Sequence, residues 1–195
     1  MLIFITNRRL CKDNFINRIG QLASAEPHAI ILREKEMGQA EYEVLALKIK
    51  AICDYKNVTL IINQNIDIAL KLGIPNIHLS MEALRKSRTR VTGFAQIGAS
   101  VHSGEEAVEA QKLGATYLIA GHIFPTECKK DAPPRGLGFL EDVCSAVTIP
   151  VFAVGGITGE RVGTVLAAGA AGMCIMSEAM TCSRPSELTK KFLAK

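Results

Sequence analysis

The sequence predicts an α/β chain folded as a single-domain (βα)8 TIM barrel over residues 1–195. Three observations carry that expectation. Short apolar runs recur eight times along the chain, and they are continuous rather than alternating, as strands covered on both faces should be. Amphipathic stretches of helical period lie between them. A helix-ending pair with glycine, suited to a left-handed C-cap, stands before several of the runs: Leu72-Gly73, Leu113-Gly114 and Ala168-Gly169. Eight such units close a parallel sheet on itself. The chain is shorter than the ~250 residues typical of that architecture, so its helices and loops must be lean. An open doubly wound sheet is the other arrangement. Against it, no Gly-rich dinucleotide fingerprint follows the first run, where Asn7-Arg8-Arg9 stands instead.

In order, the strands are expected at Leu2 to Thr6, His28 to Leu32, Val58 to Ile62, Asn76 to Leu79, Ala95 to Val101, Thr116 to Ala120, Pro150 to Val154 and Gly172 to Met176. The clearest helical stretches are Asn14 to Ala23, Glu41 to Asp54, Ile66 to Leu72 and Glu105 to Leu113. Ser103, three residues before Glu106, makes a capping box ahead of the last of these.

Composition narrows the function classes. With 48% hydrophobic residues the chain can bury a substantial core. It has no Trp and 5% aromatic residues, so stacking on exposed bases is poorly supplied. The formal charge of +4 is mild and spread out, which favours a phosphorylated metabolite over nucleic acid. The N-terminal run is too short for a membrane span, and its arginines follow the apolar residues, the wrong order for a signal peptide. The six cysteines show no C-x-x-C pair and no zinc-ligand spacing. Free thiols in a reducing cytoplasm are the expectation, with Cys144 and Cys174 as small core residues.

In a barrel of this kind the chemistry gathers at the C-terminal ends of the strands. Those ends carry Arg33-Glu34-Lys35, Asn63, His78, Ser100 with His102, His122, Gly155-Gly156 and Met176-Ser177. Gly155, Gly156, Met176 and Ser177 follow strands seven and eight, where many barrels bind phosphate. Ser177 either donates its hydroxyl to the anion or caps the next helix. Arg33 and Lys35 either face an anionic substrate or form a salt-bridged rim around Glu34. His102 either lines the pocket or caps a helix; His28 and His78 read as structural. His122 precedes a proline-stiffened flap with Cys128, Lys129, Lys130 and Arg135. An imidazole there suits proton transfer on a phosphorylated small molecule.

These segments together resemble the thiamine phosphate synthase superfamily. The resemblance runs through Leu32-Arg33-Glu34-Lys35, Ile61-Ile62-Asn63, Ile77-His78-Leu79, Gly98-Ala99-Ser100-Val101-His102, Gly121-His122-Ile123-Phe124-Pro125-Thr126, Lys130-Asp131-Ala132-Pro133-Pro134, Ala153-Val154-Gly155-Gly156-Ile157 and Met176-Ser177. It implies the barrel fold and a place in thiamine biosynthesis. Three positions depart from the synthase pattern. Gln64 and Ala83 stand where synthases carry magnesium-binding carboxylates, and His122 stands where they carry proline. The histidine resembles the thiazole tautomerase (TenI-type) branch. That branch implies an isomerase: a cytoplasmic enzyme that aromatises a carboxythiazole phosphate tautomer with His122 as acid/base, without metal or redox cofactor, acting on a small thiazole phosphate substrate as a homodimer. In that reading Gly155, Gly156 and Ser177 take the phosphate, and Arg33 or Lys35 the carboxylate. The alternatives are a magnesium-dependent synthase joining a pyrimidine diphosphate to thiazole phosphate, and a non-catalytic regulatory protein.

Overall fold

Eight parallel strands close into one barrel in chain order in the computed structural model, which describes residues 1–129 and 132–193. The strands are β1 (Leu2–Ile5), β2 (Ala29–Leu32), β3 (Thr59–Asn63), β4 (Asn76–Ser80), β5 (Gln96–Val101), β6 (Tyr117–Gly121), β7 (Val151–Val154) and β8 (Gly172–Ile175). The helices are α1 (Phe15–Ala23), α2 (Gln39–Tyr55), α3 (Ile66–Lys71), α4 (Met81–Ser87), α5 (Gly104–Lys112), α6 (Gly136–Ala146), α7 (Val162–Ala167), α8 (Ser177–Thr181) and α9 (Leu188–Leu193). Closure falls at β1, where Ile3 is in register with Ala29 on one side and Cys174 on the other.

Each expected strand is present, displaced by no more than one residue at either end. Their unbroken apolar character has a direct cause. One set of residues, including Ile3, Ile5, Ile31, Ile61, Ile119 and Phe152, forms a small inner cluster. The alternate set, with Leu2, Phe4, Ile30 and Leu32, packs outward with the helices. Apolar packing thus covers both faces of β1, β2, β3, β6, β7 and β8, whereas β4 and β5 are apolar only toward the helices and carry Asn76, His78, Ser80, Gln96, Gly98 and Ser100 at the alternate positions. Gly73, Gly114 and Gly169 end their helices with φ of 61°, 94° or 96°, the left-handed caps that the punctuation predicted.

The lean outer layer is also visible: α3 and α7 have six residues each, and α8 five. Helix α4 was not among the clearest helical stretches of the sequence. It starts directly where β4 stops, with the Ser80 hydroxyl accepting from Ala83 N at 3.2 Å. No loop intervenes, and that shapes the site below. Among the described residues no helix is long and apolar enough to cross a membrane.

Candidate active site

The C-terminal ends of β5 to β8 wall a cavity of about 430 Å³. Strand β5 contributes Ser100 and leads to His102; β6 leads through Gly121 to His122. The β7 turn contributes Gly155, Gly156 and Thr158, and the β8 end Met176 and Ser177. The segment after β6 lies over this half of the barrel and adds Pro125, Thr126, Cys128 and Lys129. Lys130 and Asp131, expected in the same flap, lie outside the described residues.

His122 is buried and follows a cis Gly121–His122 peptide. Its Nε2 lies 3.2 Å from the Ala132 carbonyl. Backbone bonds pin the flap's base to the β7 turn: Ile123 N donates to Val154 O at 2.9 Å and Phe124 N to Gly155 O at 3.0 Å. Arg135 N returns to His122 O at 3.0 Å. The flap therefore leaves and rejoins the barrel at His122.

Gly155 and Gly156 both sit at positive φ, 98° and 65°. A Cβ on Gly155 would lie 2.3 Å from His122 Cβ, and one on Gly156 2.4 Å from the Pro125 carbonyl oxygen. Glycine is required at both for conformation and for flap contact. The sequence alone leaves the pair open between anion approach and an ordinary tight turn.

Arg161, just before α7, is the site residue that sequence reasoning passed over. Its Nη1 donates to the Gly156 carbonyl at 2.6 Å, and its guanidinium lies 4.5 Å from the Phe124 ring centroid. It lines the cavity, is half-buried, and has no carboxylate partner among the described residues. Arg161 thus places a positive charge beside the glycine turn, while Glu178 at the β8 end of the same cavity is paired with Lys191. Its position directly after Gly155-Gly156-Ile157-Thr158 was the signal available in the sequence.

Ser177 does not cap α8. Met176 holds the N-cap position with no side-chain bond, and the Ser177 hydroxyl stands 3.2 Å from the Cys128 sulfur. His102 does two things at once. It lines the cavity, and its N–H donates to Glu106 Oε2 at 2.8 Å while Ser103 Oγ caps α5.

Arg33, Lys35 and Asn63 stand at the same barrel end but outside the wall of this cavity, a correction to the single converging site expected. Lys35 is exposed, Arg33 half-buried and Asn63 buried. Among the described residues Glu34 forms no ion pair with Arg33 or Lys35, so the salt-bridged rim is not found. The Glu34 carboxylate accepts from the Thr6 hydroxyl at 2.7 Å and from Arg8 N at 3.1 and 3.0 Å, so it ties the β1 exit to the β2 exit. Arg33 acts instead on His78, whose pKa is pushed down to about 3 by complete burial and, secondarily, by that nearby charge. His78 bridges Tyr117 Oη at 3.1 Å and Ser100 Oγ at 2.8 Å.

The residues present do not fit a protein-held magnesium ion. Such an ion asks for one or two carboxylates. Gln64 offers only an exposed amide, Ala83 is a backbone donor in the α4 cap, and the Glu82 carboxylate is 2.5 Å from Lys86. Because α4 follows β4 without a loop, Glu82 is held in the helix's exposed first turn. Among the described residues no three His, Cys, Asp or Glu side chains group together as a metal site.

Fold and cavity together define a (βα)8 barrel with a site at the C-terminal ends of its strands, its β7–β8 end suited to an anion. A family model described as thiamine monophosphate synthase matches residues 2–179, and the chain belongs to that family. A Streptococcus pneumoniae protein named thiamine-phosphate synthase 2 is 32% identical over 197 aligned positions, covering 100% of this chain and 94% of the relative. A thiamine-phosphate synthase from Methanospirillum hungatei is 40% identical over 157, covering 79% and 76%. The solved thiamine phosphate pyrophosphorylase of Pyrococcus furiosus superposes with a TM-score of 0.87 at 30% identity, over 98% of this chain and 92% of that one.

These relatives overturn the expectation of an isomerase. They are named as synthases, that is transferases, and none of them as a thiazole tautomerase. The tautomerase branch had rested on a few positions, His122 with its flap and Gln64 and Ala83 in place of two carboxylates. Similarity along the whole chain outweighs them.

Proposed function

We propose that the protein is a thiamine-phosphate synthase, a transferase that joins the methylene carbon of a pyrimidine diphosphate to the ring nitrogen of a thiazole phosphate. The carbon–oxygen bond to the diphosphate breaks, the carbon–nitrogen bond forms, and diphosphate leaves with the electron pair. The observation that carries this reading is the cavity over β5–β8, closed at one end by the Gly155–Gly156 turn, Arg161 and Ser177. A phosphate there would meet a fixed cation, a hydroxyl and backbone at the glycine turn. The thiazole ring would then lie toward Ser100 and His122, under the flap.

Arg33, Lys35 and Asn63, on the open β2–β3 side of the mouth, would face the second, more highly charged substrate. Negative charge grows on the departing diphosphate, and cations already in position stabilise it without reorganising. Lys129 in the flap would contribute from above. His122, buried and walled by Gly155, would shape the cavity and exclude water.

The test is direct: supply hydroxymethylpyrimidine diphosphate and hydroxyethylthiazole phosphate, and measure thiamine phosphate and released diphosphate with and without added magnesium. Formation of both products in equal amounts is expected. Absence of both at every magnesium concentration would end the synthase reading.

A further inference from the structure

We propose that Tyr117 and His78 act together to fix Ser100 as a hydrogen-bond donor into the cavity. There it would read an acceptor atom of the ligand, such as an unprotonated ring nitrogen or an anionic oxygen. The proposal rests on the reading of this cavity as the substrate site, but the chain of hydrogen bonds behind it is independent of any substrate.

The three side chains come from adjacent strands. His78 on β4 is in register with Gly98 on β5, and Gly98 with Tyr117 on β6. The glycine makes their meeting possible. A Cβ at position 98 would lie 2.1 Å from Tyr117 Cζ and 2.4 Å from His78 Nδ1. Across that gap the phenol oxygen and Nδ1 stand 3.1 Å apart, and Nε2 stands 2.8 Å from Ser100 Oγ. Ser100 lines the cavity, whereas His78 and Tyr117 are buried behind it.

The direction of the chain follows from which groups can donate. His78 is neutral, because burial and the nearby Arg33 disfavour its charge, so one ring nitrogen donates and the other accepts. Among the described residues the Tyr117 hydroxyl has no hydrogen-bond partner other than Nδ1. Were Nδ1 protonated, the phenol hydrogen would be buried with no acceptor, an arrangement that folded proteins avoid. The phenol therefore donates to Nδ1, and the ring carries its proton on Nε2. Nε2–H then donates to Ser100 Oγ, which leaves the serine O–H to point away from the histidine, toward the cavity. Without the tyrosine the imidazole could adopt either tautomer, and Ser100 could turn its proton inward.

Two measurements test this. Nitrogen-15 NMR of the full chain, with His78 assigned by a His78→Gln variant, should show Nδ1 unprotonated and Nε2 protonated in the parent. In Tyr117→Phe the two nitrogens should move toward averaged values. Titration with hydroxyethylthiazole phosphate should show Ser100→Ala binding roughly tenfold more weakly. Tyr117→Phe should weaken binding in the same direction by a smaller factor, and the double variant should lose no more than Ser100→Ala alone. A protonated Nδ1 in the parent, or losses that simply multiply in the double variant, would overturn the proposal. If the parent fails to bind the thiazole phosphate, the substrate reading falls, and the tautomer seen by NMR still decides this one.

Discussion

Gly155 lies so close under His122 that a Cβ on the glycine would sit 2.3 Å from the histidine Cβ and 2.9 Å from its Cα. The β7 turn and the exit of β6 are thus one packed unit, and the flap is hung from it. Glycine turn, flap and imidazole cannot move independently.

Gly155→Ala should therefore be costly twice over, through a positive φ that alanine resists and through overlap with backbone that cannot swing away. A loss of about 3 kcal/mol or more in urea unfolding is expected, with weaker ligand binding in whatever protein remains folded. A stability within about 0.5 kcal/mol of the parent would show that the two segments are not packed as described.

Arg161→Gln removes a guanidinium that clamps the Gly156 carbonyl and stacks on Phe124. Affinity for hydroxyethylthiazole phosphate should fall by roughly tenfold or more, and that for the dephosphorylated alcohol should hardly change. Arg161→Lys keeps the charge but loses the planar stack, so it should recover only part of the affinity. Equal losses for both ligands by calorimetry would argue that Arg161 supports the turn and does not meet the phosphate.

Ser177→Ala should cost about 1.5–3 kcal/mol in binding of the phosphorylated ligand, the usual worth of a hydrogen bond to a charged group. Cys128→Ser, which replaces the thiol beside that hydroxyl, should bind nearly as the parent does. If the order is reversed, the anion is held by the flap and not by the β8 end.

The pH dependence of stability should carry a signature of His78. Its pKa is about 3 in the fold against an ordinary value of 6.5, so the unfolded chain takes up the proton first as pH falls. The contribution is fully present above about pH 6.5 and is lost between there and about pH 3, by up to about 1.4 kcal/mol per unit. Urea unfolding from pH 7 to pH 4 should show a shallower slope in His78→Gln than in the parent. Parallel slopes would mean that the imidazole is not held neutral in the fold.

The barrel was legible in the sequence because six of the eight strands are apolar on both faces and each cap glycine is needed locally. Those are nearest-neighbour requirements, written where they act. The β5–β8 site was legible in large part for a similar reason: the strand ends show which residues lie at the mouth, and Ser100, His102, His122, Gly155, Gly156 and Ser177 do share one cavity.

What the sequence by itself determined, then, was the fold class and the residue types gathered at the barrel end where the cavity opens. Only the tertiary structure decided which of them meet. Glu34 turned away from its own neighbours to Thr6 and Arg8, because the β1 exit lies beside it in space though 28 and 26 residues away in sequence. Arg161 joined the site through a carbonyl and a ring on two other segments, and Gly98 proved to be the gap that lets His78 reach Tyr117. Hydrogen bonds and close packing depend on distances of a few tenths of an ångström between distant parts of the chain. No local pattern of residues encodes such distances.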